Sequence, residues 1–296
     1  MTLVQTLPNL ACAGYPGPVI DPPRDAPQHP RPQSLMLAFL GLYVLDRGTA
    51  VYSGSVIEVF DRVGVSEEAV RSTLTRMAGR GLLTRRRRGR RVYFGLTDHA
   101  TEVLRDGRRR IWETGAVNRA WDGTWTLVGF SLPDSRRGDR HDLRSQLVWA
   151  GFGVVQNGLW IAPGARDAAG IVDRLGLTDH VTVFTARPDA PTGSADLVRR
   201  AFDTAAIAAR YRAFTARWGE PDPLPALPDD LARLLVLHTD WLQLVRQDPH
   251  LPAEHLDEDW PAIHAEQLFH DLHARYREPA AAIAADLVDE VPAVEP

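Results

Sequence analysis

The sequence has almost no cysteine. Cys12 is the only one in 296 residues. Disulfide frameworks and thiolate metal clusters are therefore excluded. It has no lysine either; all 34 basic residues are arginine. Long apolar runs are missing as well: the longest, Leu35–Leu45, is too short for a bilayer-spanning helix. The first residues, MTLVQTLPNLACAGYPG, lack the basic start of a secretory leader, so a cytoplasmic protein is the expectation. Serine-nucleophile motifs are absent. The glycines of GFGVVQNG (151–158) are not followed by the helix onset that a phosphate-cradling loop requires. The pattern predicts no enzymatic activity and no cofactor.

Apolar residues make up 44% of the chain, enough for a substantial core. Net charge is −4, but it is unevenly spread. Residues 62–110 hold 14 arginines against 5 acids, a net of +9. The remaining 20 arginines face 33 acids, a net of −13. A basic segment inside an acidic chain points to a polyanionic partner for that segment alone. Six of the seven residues Arg85–Arg91 are arginine, interrupted only by Gly89. Leu82 and Leu83 precede the run, and Val92, Tyr93, Phe94 and Leu96 follow it. Flanks that belong in a core place the run in a folded element, not in a basic tail.

Residues 1–33 are rich in proline and short polar residues and read as a flexible tail. Ser34 is a candidate cap for a helix over Leu35–Asp46, and a second helix fits Gly54–Val63. Ser66, with Glu67 and Glu68 behind it, is a strong start for a third helix, which Gly79 and Gly81 end. On this helix Val70, Leu74 and Met77 share one face. Glu68, Arg71, Ser72 and Thr75 share the opposite one. A strand over Leu82–Arg85, a tight arginine-glycine turn and a strand over Arg91–Leu96 follow. Thr97 then caps a helix to about Arg110.

Three helices, a hairpin and a helix make a winged helix-turn-helix, expected over 34–117. The third helix would read a DNA groove and the hairpin would be the wing. Ser66, Arg71, Ser72, Thr75 and Arg76 are side chains of the types that reach bases and phosphates. Arg85, Arg86, Arg87, Arg88, Arg90 and Arg91 would neutralise phosphate, with Gly89 permitting the reversal.

A second pattern begins at TWTLVGFSLP (124–133), which alternates like a strand. A helix over Arg140–Ala150, a hairpin turning at Asn157-Gly158, a helix over Arg166–Leu175 and a strand over Val181–Thr185 complete β-α-β-β-α-β. That order is ferredoxin-like and is expected over 118–190. Residues 191–296 read as a helical domain. Helices fit Asp196–Trp218, Asp229–Gln247 and Pro261 to about Arg277, separated by GEPDPLPALP and DPHLPAEHLDEDWP, with fraying after about Val288. The fold class is thus multidomain α+β. His264, His270 and His273 share the last helix, but no matching acid or thiol partner is evident, so no metal site is assigned.

Three blocks, in this order, resemble the PaaX family of transcriptional repressors. They are SEEAVRSTLTRMAGRGLL with RRGRRVYFGLT, then WTLVGFSLPDSRRGDRHDLRSQLVWAGFGVVQNGLWIAP, then DPHLPAEHLDEDWP with AEQLFHDLHARY. Together they span roughly 32–278. The resemblance implies a Cas2-like middle domain and a homodimeric repressor of aromatic catabolism, notably phenylacetate degradation. Such a repressor would bind double-stranded operator DNA and be released by an acyl-CoA such as phenylacetyl-CoA; a symmetric dimer makes the expected operator an inverted repeat. With no apolar run long enough to span a bilayer, no membrane partner is expected. Control of another pathway through a different effector stays open. Trp160 and Trp241 are candidate walls for the acyl group, and Arg144 and Arg246 candidate partners for CoA phosphate. The Cas2-like fold also includes metal-dependent nucleases, which need clustered carboxylates after the first strand. Here SLPDS offers Asp134 alone.

Overall fold

The computed structural model describes residues 31–219 and 227–293. The first segment runs α1 (Pro32–Tyr43), β1 (Thr49–Tyr52), α2 (Ser53–Asp61), α3 (Glu67–Gly79), β2 (Leu83–Arg88), β3 (Arg91–Leu96) and α4 (Asp98–Trp112). Of the expected tail, only 31–33 are described, and they already lead into α1. Arg31 is the N-cap residue of that helix and Pro32 opens it, so Ser34 lies inside it. Proline suits a first turn because its missing N–H has no intrahelical partner there. Strand β1 had no sequence expectation; it is four residues long and shows no alternation of polar and apolar side chains.

Helix α3 begins where its cap predicts. Ser66 Oγ accepts from the Ala69 amide at 3.3 Å. Thr97 does the same for α4, accepting from Ala100 at 3.2 Å. The hairpin differs from expectation. Strand β2 extends to Arg88, which pairs with Arg91 across a two-residue turn. Arg85–Arg88 are therefore ladder residues and only Gly89 and Arg90 form the reversal. Gly89 has φ of 61°, the left-handed value that a glycine adopts at low cost.

The central segment runs β4 (Trp125–Phe130), α5 (Arg137–Trp149), β5 (Gly153–Gln156), β6 (Leu159–Pro163), α6 (Ala169–Arg174) and β7 (Val181–Ala186). Its sheet has the order β5-β6-β4-β7 with every pair antiparallel. Val128, Leu143, Leu147, Trp160 and Ile171 sit in its own apolar core.

The last segment is α7 (Ser194–Ala201), α8 (Thr204–Trp218), α9 (Asp230–Arg246), α10 (Pro261–Leu287) and β8 (Glu290–Pro292). The single helix expected over Asp196–Trp218 is two. Phe202 is extended and Asp203 starts a fresh helix, its carboxylate accepting from Ala206 at 2.9 Å. Part of the GEPDPLPALP break, 220–226, lies outside the described residues. Helix α10 runs past the expected end and through Pro279. Proline removes a donor to the carbonyl four residues back, that of Arg275. Both residues are on the exposed side, where water can take that carbonyl.

Fraying after Val288 is not what the structure has. Strand β8 pairs with β1, completing a sheet in the order β2-β3-β1-β8. The first and last segments also share one core. Buried residues of α1 to α4 and of α8 to α10 form a single apolar cluster. Helix α9 is its axis: 12 of its 17 residues are buried, so it is apolar nearly all round. Asp229 caps α9 and is ion-paired with Arg62 at the end of α2.

Candidate nucleic-acid interface

Helix α3 divides as its spacing requires. Val70, Thr73, Leu74 and Met77 are buried, while Ser66, Glu67, Glu68, Arg71, Ser72, Thr75 and Arg76 are exposed. The exposed residues from Glu67 to Arg76 line one open depression along the helix. Arg71 is held by Glu67, Nη2 to Oε1 at 2.6 Å. Both side chains are well exposed, so the pair holds by about 0.3–0.5 kcal/mol and yields to a stronger anion. The Thr75 hydroxyl donates to the Arg71 carbonyl at 2.8 Å, and Arg76 donates to Thr73 Oγ1 at 3.2 Å.

Ion pairs sort the basic segment into two groups. Arg62 is taken by Asp229 and Arg71 by Glu67. Arg105 and Arg108 are taken by Asp46, and Arg109 and Arg110 by Asp106. The hydrogen bonds from Arg105 and Arg108 hold the Asp46 carboxyl below its ordinary range. Arg91 is taken by Asp289, beside β8, and lies 5.0 Å from the Tyr52 ring centre. Hydrogen bonds with Tyr93 and Asp289 raise the Arg91 guanidinium still further. Arg86 is half-buried and donates to the Pro292 carbonyl at 3.1 Å. Arg76, Arg80, Arg85, Arg87, Arg88 and Arg90 have no carboxylate partner among the described residues. All six are exposed. Unbalanced positive charge therefore collects at the end of α3 and along β2 and its turn. Of the sequence candidates, Arg86 and Arg91 stand apart because β8 and the residue before it engage them.

The four effector candidates do not line one space. Arg144, on α5, donates to Asn157 at 3.3 Å. Trp160 is buried in the central core. Trp241 is buried in the other core and stacked on Phe269, with centroids 4.8 Å apart and planes 11° apart. Arg246 lies at the end of α9 beside Gly107 of α4, and burial followed by repulsion from Arg110 lowers its pKa. Trp125 is buried like Trp160, whereas Trp149 is 64% exposed.

Sequence reasoning missed a buried polar group nearby. Arg166 (between β6 and α6), Tyr211 (α8), and Asp248 and His250 (after α9) meet the end of α4 around a recess of about 130 Å³. Tyr211 donates its hydroxyl to Asp248 Oδ2. The His250 amide donates to Asp248 Oδ1 at 2.6 Å. Burial raises Asp248 and lowers His250 to about 4. The one local signal was the DPH tripeptide. His250 has φ of 60°, a left-handed value that side chains other than Asn, Asp and His rarely take.

Of the histidines on α10, His264 is exposed, and His273 Nδ1 lies 2.8 Å from His238 Nε2 on α9. Complete burial lowers His238 to about 3. No group of three metal-ligating side chains occurs among the described residues. The Asp134 side chain is 90% exposed and approached by Arg140 at 3.4 Å. No described helix is long and apolar enough to cross a membrane.

Comparison with known proteins gives this architecture a class: a mixed α+β protein with two antiparallel sheets and a central Cas2-like domain. Three family models match in succession. They are the PaaX-like protein over residues 31–100, the PaaX central Cas2-like domain over 118–198 and the PaaX-like C-terminal domain over 202–286. The chain belongs to the PaaX family. It is 28% identical over 277 residues to the Escherichia coli protein named transcriptional repressor PaaX, covering 88% of this chain and 86% of that one. A solved structure of an uncharacterised protein from Mycobacterium tuberculosis has the same fold. It aligns with a TM-score of 0.57 at 23% identity, covering 86% of this chain and 98% of the other.

Proposed function

We propose that this protein is a transcriptional repressor that binds double-stranded operator DNA as a homodimer. In this reading residues 34–117 are a winged helix-turn-helix, with α3 in the major groove and β2–β3 as the wing. Residues 118–190 are a ferredoxin-like domain and 191–296 a helical domain. The observation that carries the reading is the sorting of arginines. Six guanidiniums without carboxylate partners among the described residues cluster on the reader helix and wing, while those elsewhere in the segment are paired. Exposed arginines of this kind, beside a helix bearing Arg71, Ser72 and Thr75, suit phosphate grip plus base readout.

Dimerisation is supported by the central segment. Strand β7 is an edge of its sheet, and Val183 and Phe184 on it are 38% and 59% exposed. An uncovered apolar edge of this kind suits a second copy of the chain. The similarity to an E. coli repressor supports repression as the outcome. An aromatic acyl-CoA such as phenylacetyl-CoA is the proposed releasing ligand, acting by favouring a dimer whose reading helices are wrongly spaced.

A mobility-shift assay on the DNA upstream of the protein's own gene tests this. The expected result is a shift that prefers this sequence over a scrambled duplex, weakens steeply with salt, and is reversed by the acyl-CoA. Equal binding to scrambled DNA would overturn operator recognition. An unaltered shift with the acyl-CoA would overturn only the choice of effector.

A further inference from the structure

We propose that the recess where α4, α8, the 248–250 loop and Arg166 meet is a binding site for a small oxyanion, a carboxylate or phosphoryl group. It rests on charge and geometry there and deepens the proposed function, since this is where the three segments of the chain converge. Arg166 is fixed in place. Its amide donates to Thr126 Oγ1 at 2.9 Å, its Nε to the Pro163 carbonyl at 3.3 Å and its Nη2 to the Pro249 carbonyl at 3.2 Å. None of these partners carries charge, and no carboxylate lies within ion-pair distance of it among the described residues.

Arg109 and Arg110 enter the same recess from α4 and share one carboxylate, Asp106. The other acid, Asp248, is engaged by Tyr211 and the His250 amide, and burial drives it toward its neutral form. Three guanidiniums thus face two acids: Asp106, which two of them share, and Asp248, which attracts Arg166 from beyond ion-pair distance and which burial disfavours as an anion. A part-buried cation with no carboxylate in contact is destabilising, and an anion from outside would balance the excess positive charge. Arginine forks match a planar carboxylate or a phosphoryl group in geometry. A recess of about 130 Å³ holds such a group with a few waters, but not a whole nucleotide.

The test measures thermal midpoints of the full chain in sodium phosphate and in sodium acetate, each against sodium chloride at matched ionic strength. A ligand of the folded state raises the midpoint along a saturable curve. The expected result is such a curve for phosphate, acetate or both; the relative half-saturations tell a phosphoryl from a carboxylate site. The curve should vanish in Arg166→Gln and persist when Arg87, Arg88 and Arg90 are all changed to Ala. No difference from chloride in the wild type overturns the proposal, as does an unchanged curve in Arg166→Gln. Loss of the curve in the wing variant would place the oxyanion on the wing and overturn it too. If Arg166→Gln does not fold, Arg109→Gln, on the exposed rim, replaces it. A half-saturating concentration at least fivefold higher supports the site, and an unchanged one overturns it. Duplex binding is read separately by mobility shift. A chain that binds oxyanion but no operator fails the repressor reading alone; the reverse fails this site alone.

Discussion

The β2–β3 hairpin and the three-way recess are both built from arginine, yet they use it oppositely. On β2 and its turn, Arg85, Arg87, Arg88 and Arg90 stand in water with no carboxylate at hand among the described residues. In the recess, Arg166 is largely enclosed by neutral carbonyls, and burial lowers its pKa. Exposed guanidiniums are inexpensive to keep and easily satisfied by a long polyanion that arrives from solvent. Enclosed ones are costly and admit only a group of matching size and charge. One residue type therefore supplies a broad grip in one place and a selective seat in the other, and burial alone decides which.

The largest test of this contrast is on the wing. Changing Arg87, Arg88 and Arg90 together to Ala should weaken binding to every duplex. The slope of log K against log salt should become shallower by about 0.9 for each phosphate that is no longer neutralised, measured by fluorescence anisotropy across a salt series. Salt acts on the outside; pH should act on the interior. His238 is held neutral, with its pKa pushed down to about 3 by burial from the ordinary 6.5. The unfolded chain therefore binds the extra proton between pH 6.5 and 3, and stability falls as pH is lowered through that window. The slope is at most about 1.4 kcal/mol per pH unit for this one group. Urea midpoints taken from neutral pH down into that window check it, and His238→Asn should flatten the curve.

A smaller effect separates grip from choice. Arg71→Ala should cost about 1–3 kcal/mol on the operator and little on scrambled DNA, seen as a reduced ratio of the two affinities. The smallest expected effect is at the wing's inner edge. Asp289→Ala releases Arg91 from an exposed pair and should cost less than about 1 kcal/mol of stability. It should also raise affinity for scrambled DNA a few-fold, because one more guanidinium is freed.

Much of the first segment was legible because its signals are local. Ser66 caps within three residues, the α3 faces follow from 3.6-residue spacing, and Gly89 marks its own turn. The β-α-β-β-α-β order was readable for the same reason. What escaped the sequence depends on distance along the chain. Tyr211 meets Asp248 from 37 residues away and Arg166 meets Pro249 from 83. Neither acid nor arginine looks unusual until the chain is folded. Strand β8 is three residues long, too short for any alternation to register. Helix α10 passes its expected end near Arg277 and continues through Pro279, whose exposed position leaves the Arg275 carbonyl to water.

Strand β8 also sets an order of events. The Thr49 hydroxyl donates to Glu290 across 241 residues of sequence. During synthesis the helices and hairpin of the first segment emerge long before β8, so β1 waits with one edge unpaired. Such an edge invites pairing with other chains. Asp289, Glu290 and Val291 leave the ribosome only after all three segments, and their arrival closes that edge. The arginine-bearing sheet is thus begun first and finished last. A chain broken off ahead of β8 would carry the wing's arginines on a sheet still open to its neighbours.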